Sequence, residues 1–333
     1  MLNADLKLSP HLFKDNLESA PLRDGYGTGV VRAGERDSNV VVLCADLTES
    51  TRSLGFAEKF PDRFFEIGVA EQNLATIAAG LGVSGKIPFI SSYATFSPGR
   101  NWEQIRTTIA YNHSNVKIIG SHAGISVGPD GATHQAIEDI ATMRAIPTMK
   151  VFVPCDVHEA DRITYAIASL DGPCYVRLAR EKTPVVTTEH TPFEFGKVSW
   201  FWLPHKEKFD VTVFVAGPLM YHALQAAQML EREGVDTAVV NVATVKPLDE
   251  EGVEAAVVRS GAGVVVEEHQ ILGGLGGAIA ECVAKRFPVP LEFIGMQDTF
   301  GESGPPDALI EKYGMGVTHI VAAAKRVILR KRK

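Results

Sequence analysis

The chain has 333 residues, with 33 basic and 40 acidic side chains for a formal net charge of −7, and is 45% hydrophobic and 22% charged. At roughly 100–200 residues per domain, that length suits about two domains, each able to bury a core, and excludes a single small module. The acidic balance argues against a nucleic-acid partner. No apolar run reaches the ~20 residues needed to cross a bilayer, and Met1 to Pro10 lacks the basic-then-apolar pattern of a signal peptide, so no membrane partner and a cytoplasmic location are expected.

Taken in chain order, β-branched runs at 40–46, 87–93, 116–122, 149–154 and 174–180 read as strands, with helical patterns between them. Near-continuous apolar strands joined by long crossovers indicate a parallel sheet covered on both faces. Between Thr183 and Asp210 the pattern breaks around Pro184, Pro192 and Pro204, and then restarts with strands at 211–216, 237–242, 263–268 and 291–294 and a last helix near 318–329. The expected fold is two doubly wound α/β domains: 1–190, a linker at 191–209, and 210–333. Cys44, Cys155, Cys174 and Cys282 form no CxxC spacing and read as buried thiols. The basic tail, Lys325, Arg326, Arg330, Lys331, Arg332 and Lys333, reads as a solvated helix end.

Three stretches carry candidate chemistry. In the helix that begins at Gly68-Val69-Ala70-Glu71, a turn of ~100° per residue puts Glu71 on the same side as Leu74, Ala75, Ala78 and Gly82. A carboxylate on an apolar face is desolvated and can hold or share a proton. The alternative is an acid that merely suits the first helical turn through the dipole. At the end of the second strand, Tyr93-Ala94-Thr95-Phe96-Ser97-Pro98 reads as a strand end with Ser97 capping a helix and Pro98 at its first position, flanked by Phe96 and Trp102. Those aromatics are either core or a ring-stacking wall.

The third stretch runs from Ser121-His122 to Asp130-Gly131-Ala132-Thr133-His134-Gln135, a loop at the carboxyl end of a strand, where open α/β sheets bind ligands. A helix is expected to start near Thr133, with His134 at its N-terminus and its ring kept neutral by the dipole. The competing reading is two loop histidines bonded to backbone. Arg23, Ser50, Arg52, Arg177 and Arg180 are scattered phosphate-binding candidates. Gly273-Gly274-Leu275-Gly276-Gly277 completes no G-x-G-x-x-G and reads as a tight turn.

Together, Ala45-Asp46-Leu47, Gly68-Val69-Ala70-Glu71, Ala94-Thr95-Phe96, His122 through Gln135, Pro154-Cys155-Asp156, Arg180 and Asp298-Thr299-Phe300-Gly301 resemble, in order, the carboxyl-terminal two thirds of transketolases. The resemblance implies a pyrimidine-binding domain followed by a transketolase C-terminal domain, and thiamine diphosphate as cofactor. It implies that Glu71 hydrogen-bonds the pyrimidine ring nitrogen, so that the tautomer able to deprotonate the thiazolium is favoured, and that Phe96 stacks on the pyrimidine. Where the family often places a further aromatic soon after that Phe, this chain has Gly99, and Trp102 follows.

By the same register, His122 and His134 contact the reacting oxygens and Asp130 the C2 hydroxyl. Arg23, Ser50 and Arg180 contact a sugar phosphate, and Asp46 lies near the cofactor at the subunit contact. The implied reaction moves a two-carbon ketol unit from a ketose phosphate to an aldose.

One motif is missing. The family binds the diphosphate and metal through Gly-Asp-Gly followed downstream by Asn, and no Gly-Asp-Gly occurs in this sequence. The expectation is a split transketolase in which no metal ligand lies on this chain. A separate N-terminal subunit would supply Mg²⁺ or Ca²⁺ and the diphosphate site, pairing with this chain as an α2β2 heterotetramer. The rivals are a 2-oxo-acid dehydrogenase beta subunit, which has no clear use for His122, Asp130, His134 and Arg180, a 1-deoxyxylulose-5-phosphate synthase, and an inactive scaffold homologue.

Overall fold

The structure is a computed structural model that describes residues 1–331; Arg332 and Lys333 of the basic tail lie outside the described residues. The first sheet contains β2 (Val40–Cys44), β3 (Phe64–Glu66), β4 (Ile87–Tyr93), β5 (Lys117–Ser121), β6 (Lys150–Phe152), β7 (Cys174–Arg177) and β12 (Thr244–Lys246), in the order β12-β6-β7-β5-β4-β2-β3. All neighbours are parallel except β12, which is antiparallel to β6. Side chains alternate between its faces: Val40 and Val42 pack into one buried cluster, Val41 and Leu43 into another.

The first of these faces is covered by α1 (Leu22–Arg36) and α6 (Val157–Ile167). Those two helices touch backbone to backbone, because a Cβ on Gly25 would lie 2.0 Å from the Val157 carbonyl oxygen. The other face is covered by α3 (Glu71–Val83), by α5 (Asp139–Ala145), and by α4 (Trp102–Gln104), which continues as a π-helical stretch, Ile105–Ala110.

The second sheet contains β9 (Ser199–Trp202), β10 (Val211–Ala216), β11 (Thr237–Asn241), β13 (Gly263–Gln270) and β14 (Leu291–Met296), in the order β14-β13-β10-β11-β9, with β9 antiparallel. Helices α7 (Met220–Arg232) and α11 (Val317–Leu329) pack on one face, and α8 (Glu250–Ser260) and α9 (Leu275–Arg286) on the other. Residues of α8 and α9 share one buried cluster with Leu74, Ile90 and Ile118 of the first sheet's layer, so the two halves have a common core.

The segment 191–209, read as linker, contains β9, and β12 crosses from the second half into the first sheet. A further pair, β1 (Ser19–Pro21) with β8 (Lys182–Pro184), closes the amino-terminal arm. The four cysteines are free and buried. In the tail, Arg326 and Arg330 pair with Glu292, and Lys325 with Glu233. Among the described residues no helix is long and apolar enough to cross a membrane.

Candidate active site

In the first sheet the chain leaves β2 toward β3 on one side and leaves the neighbouring β4 toward β5 on the other, so the crevice between the carboxyl ends of β2 and β4 is a topological switch point. The carboxyl ends of β2, β4, β5 and β7 lead into Asp46 and Ser50, Phe96, His122 and Arg180 respectively. Glu66, at the end of β3, braces this edge. Its Oε1 accepts from the backbone N–H of Asp46 at 2.7 Å and of Gly68 at 2.9 Å, and its Oε2 accepts from the Thr48 hydroxyl at 2.9 Å.

Gly68 turns the chain into α3, whose first residue is Glu71. The two readings of that residue hold together: Glu71 stands in the first helical turn and its side chain is only 2% exposed. Its carboxylate accepts from Arg100 Nη1 at 2.7 Å, and its backbone carbonyl accepts from Asn101 Nδ2 at 3.0 Å.

Four rings form a row along the edge. His134 meets Phe96 edge-on at 5.4 Å, Phe96 stacks near Tyr93 at 6.0 Å, and Tyr93 stacks on His122 at 3.7 Å between centroids. Phe96 is half-buried, and Tyr93 at the end of β4 continues the row. Trp102 stands apart from the row: its indole N–H donates to the Thr142 carbonyl at 3.3 Å and its body packs against the core.

His122 is 1% exposed, and Arg23 Nη1 lies 3.2 Å from its Nε2, while the Ser121 hydroxyl lies 2.8 Å from its Nδ1. Burial first, then the charges of Arg23, Arg180, Arg52 and His134, push its pKa down to about 3. The ring is neutral near pH 7. Because a guanidinium can only donate, Nε2 is the acceptor and Nδ1 carries the proton toward Ser121. The sign follows from linkage: the contribution of the neutral ring to stability is complete above the unfolded value near 6.5 and is lost as pH falls from there toward about 3. Nitrogen-15 NMR should show His122 as the Nδ1–H tautomer and uncharged at pH 5. In Arg23→Met its titration should move upward yet stay below 6.5, since burial remains; an imidazolium signal in the wild type at pH 6 would contradict the assignment.

Arg23 also donates to the backbone oxygen of Ser50 at 2.9 Å, and Arg180 donates to the Val127 carbonyl at 3.2 Å and pairs with Glu181. These groups meet His122 at one end of the row. Asp46 and Asp130 sit exposed on the same edge, and among the described residues no hydrogen bond ties either carboxylate to the row.

Two other phosphate candidates are placed differently. Arg52 forms an exposed pair with Asp24, and Arg177 is buried on Asp139 and donates through Nη2 to the Glu268 carbonyl at 2.7 Å. Arg177 shares its strand face with Tyr175 and points into the core, where it cannot meet a ligand's phosphate.

Two predicted caps also differ. No helix starts at Thr133: residues 132–134 form a turn and α5 begins at Asp139, so no helix dipole bears on His134. Gln135 holds the segment out of helix by donating from Nε2 to the carbonyls of Ile125 and Glu302. Ser97 caps no helix either, because its hydroxyl accepts from Asn101 Nδ2 at 3.1 Å and α4 begins only at Trp102.

The second half reaches into this site. The buried Glu268 of β13 accepts the Ser126 N–H at 2.6 Å, and a Cβ on Gly124, whose φ is +87°, would lie 2.3 Å from that carboxylate. The Gly304 N–H donates to the Gly128 carbonyl, and Gly301 packs against the Gln135 side chain. The loop from His122 to Gln135 is thus clamped by Glu268 and by residues 301–304, contacts that no local pattern announced. In the glycine-rich turn, Leu275 and Gly276 N–H groups donate to Glu267, so the start of α9 is filled by the chain's own carboxylate.

A cavity of about 630 Å³ between Asn3, Trp200 and Arg259 lies away from all these side chains. Among the described residues no cluster of three or more His, Cys, Asp or Glu side chains could hold a metal ion.

Residues 18–185 match the model of the transketolase pyrimidine-binding domain, and residues 202–320 that of the transketolase C-terminal domain. The chain belongs to the transketolase family. It is 43% identical over 92% of its length to a putative transketolase C-terminal section of Methanocaldococcus jannaschii, covering 95% of that protein. It is 39% identical over 96% of its length to a 6-deoxy-6-sulfo-D-fructose transketolase subunit of Clostridium sp. (strain MSTE9), covering 98% of it. A solved split-gene transketolase, described as an inactive beta4 tetramer, superposes with a TM-score of 0.86 at 42% identity, over 95% of this chain and 100% of that one. For a transketolase-family chain, the pyrimidine-binding domain implies thiamine diphosphate.

Proposed function

We propose that this chain is the pyrimidine-side subunit of a split transketolase, which moves a two-carbon ketol unit from a ketose phosphate to an aldose acceptor. A separate N-terminal subunit would hold the cofactor's diphosphate and Mg²⁺ or Ca²⁺, in an α2β2 heterotetramer. The observation that carries the reading is Glu71, a nearly buried carboxylate joined through the half-exposed Arg100 to the ring of half-buried Phe96 on the switch-point edge. A flat base with a ring nitrogen fits both: Phe96 offers a stacking face, and Glu71 an acceptor in a low-dielectric setting that can share a proton. Thiamine diphosphate, when bound, supplies the electron sink for breaking and forming the carbon–carbon bond.

The chain's own residues supply position and proton transfer. Neutral His122, with Arg23 fixing Nε2, and His134 on the rim of Phe96 are the groups that would hold or move protons at the sugar's oxygens. Arg23 and Arg180, at the far end of the row from Glu71, would take the sugar's anionic end, with Ser50 beside them. Asp130 would meet the C2 hydroxyl and Asp46 the subunit contact, and Trp102, packed behind the row of rings, would support the cofactor from the core side.

Reconstituting this chain with a partner that carries the Gly-Asp-Gly motif and assaying glycolaldehyde transfer tests the reading. Ketol transfer from a ketose phosphate is the expected result. Carbon dioxide release from pyruvate would favour the dehydrogenase or synthase alternatives, and a complex that binds thiamine diphosphate without any turnover would favour a scaffold. The 39% identical sulfosugar relative supports a second reading of the anionic end, a sulfonate in place of a phosphate. Comparing the two donors with otherwise equal sugars decides between them.

A further inference from the structure

We propose that Arg100 occupies the pyrimidine seat in the subunit that holds no cofactor, and that loading requires its guanidinium to leave. The inference rests on the reading of Glu71 and Phe96 as that seat. Two contacts place it there. Arg100 Nη1 donates to Glu71 Oε2 at 2.7 Å, and the guanidinium carbon lies 4.9 Å from the centre of the Phe96 ring. A guanidinium is a flat cation rimmed with N–H donors, so on this shelf it makes the same pair of contacts that an aminopyrimidine would need: a hydrogen bond to the carboxylate and a face on the phenyl ring. Arg100 holds Oε2 and lies over one face of Phe96, so a base that uses that oxygen and that face cannot be seated while the guanidinium stays.

The asymmetry of exposure says which group moves. The Glu71 side chain is 2% exposed and fixed at the start of α3, whereas that of Arg100 is 50% exposed at the end of a long flexible stem. A buried carboxylate without a partner is strongly destabilising, so an empty seat needs a cation. Arg100 meets that need and, by the same contact, takes up the carboxylate oxygen that a ring nitrogen would use. When Arg100 swings into water, the carboxylate is freed for the ring nitrogen. Loading and activation of the carboxylate thus become one event.

The assembled two-subunit enzyme, titrated calorimetrically with thiamine diphosphate in the presence of Mg²⁺, tests this. Arg100→Ala should bind the cofactor roughly threefold to tenfold more tightly than wild type, the size expected for losing an ion pair with one half-exposed partner. Arg100→Lys keeps the charge but not the flat face and should fall between the two. Without cofactor, Arg100→Ala should melt below wild type, and saturating cofactor should raise its melting temperature by more. Equal or weaker binding by Arg100→Ala overturns the inference, and should that variant fail to assemble, unchanged affinity in Arg100→Lys overturns it equally. No binding by wild type or variants would instead refute the thiamine reading on which the inference stands.

Discussion

Glu71→Gln in the reconstituted enzyme should lower ketol transfer by about 10²–10⁴-fold, the usual contribution of a positioned acid–base group. The substitution preserves shape, and the Asn101 amide bonds the backbone carbonyl of residue 71 rather than its side chain, so α3 keeps its tie to the Phe96 turn. The amide can still stand beside a ring nitrogen, but it cannot share or exchange a proton with it. Equal loss of kcat and kcat/KM with unaltered assembly, read by gel filtration with the partner, is the expected pattern. Turnover near that of wild type would show that the carboxylate has another purpose. Glu71→Ala is the harsher form, because it also leaves Arg100 without its partner.

The second large effect concerns stability. Asp139 and Arg177 form a pair with side chains 2% and 1% exposed, and Tyr175 donates its hydroxyl to the same carboxylate at 2.6 Å. Removing one member strands the other's charge in a dry interior, so Asp139→Ala should cost about 3–5 kcal/mol of folding free energy, read as a lower urea midpoint at unchanged slope. The double replacement Asp139→Leu with Arg177→Leu should recover much of that loss, since an apolar pair has no charge to desolvate. A single variant with a wild-type midpoint would mean that water or a neighbour compensates the charge.

The parts of the fold legible in the sequence are those whose signal is local. β2 and β10 are unbroken β-branched or apolar runs, β4 is one as far as Ile90, and the ends of all three agree with the expected strands to within two residues. β3, β9 and β12 escaped because three or four residues show no period, and β12 is a strand only by virtue of an edge that β6 offers from the other half of the chain. The site divides in the same way. Glu71 was recoverable because helical periodicity sets it among alanines and Leu74. The expected helix at Thr133 failed because Gln135 bonds a carbonyl of residue 302, far along the chain. Arg177, one of the scattered phosphate candidates, faces inward, and strand alternation, which puts it on the face of Tyr175, is the local signal for that. Arg100 lay in plain view four residues after Phe96, but nothing in the sequence brings it onto Glu71.

The clamp on the loop from His122 to Gln135 bears on how this chain can be engineered or recombined. Its carboxyl half ends in an anchor, Glu268 and residues 301–304, that fits the backbone of a loop in the other half, and both halves line one core. A chimaera that exchanges halves between two such chains at the proline-rich segment would therefore carry mismatched lock and key at that loop, even if each sheet folded faithfully. A viable crossover has to transfer Gly124, Ser126 and Gln135 together with Glu268 and Gly301, a set of residues scattered over more than half of the sequence and heritable only as a unit.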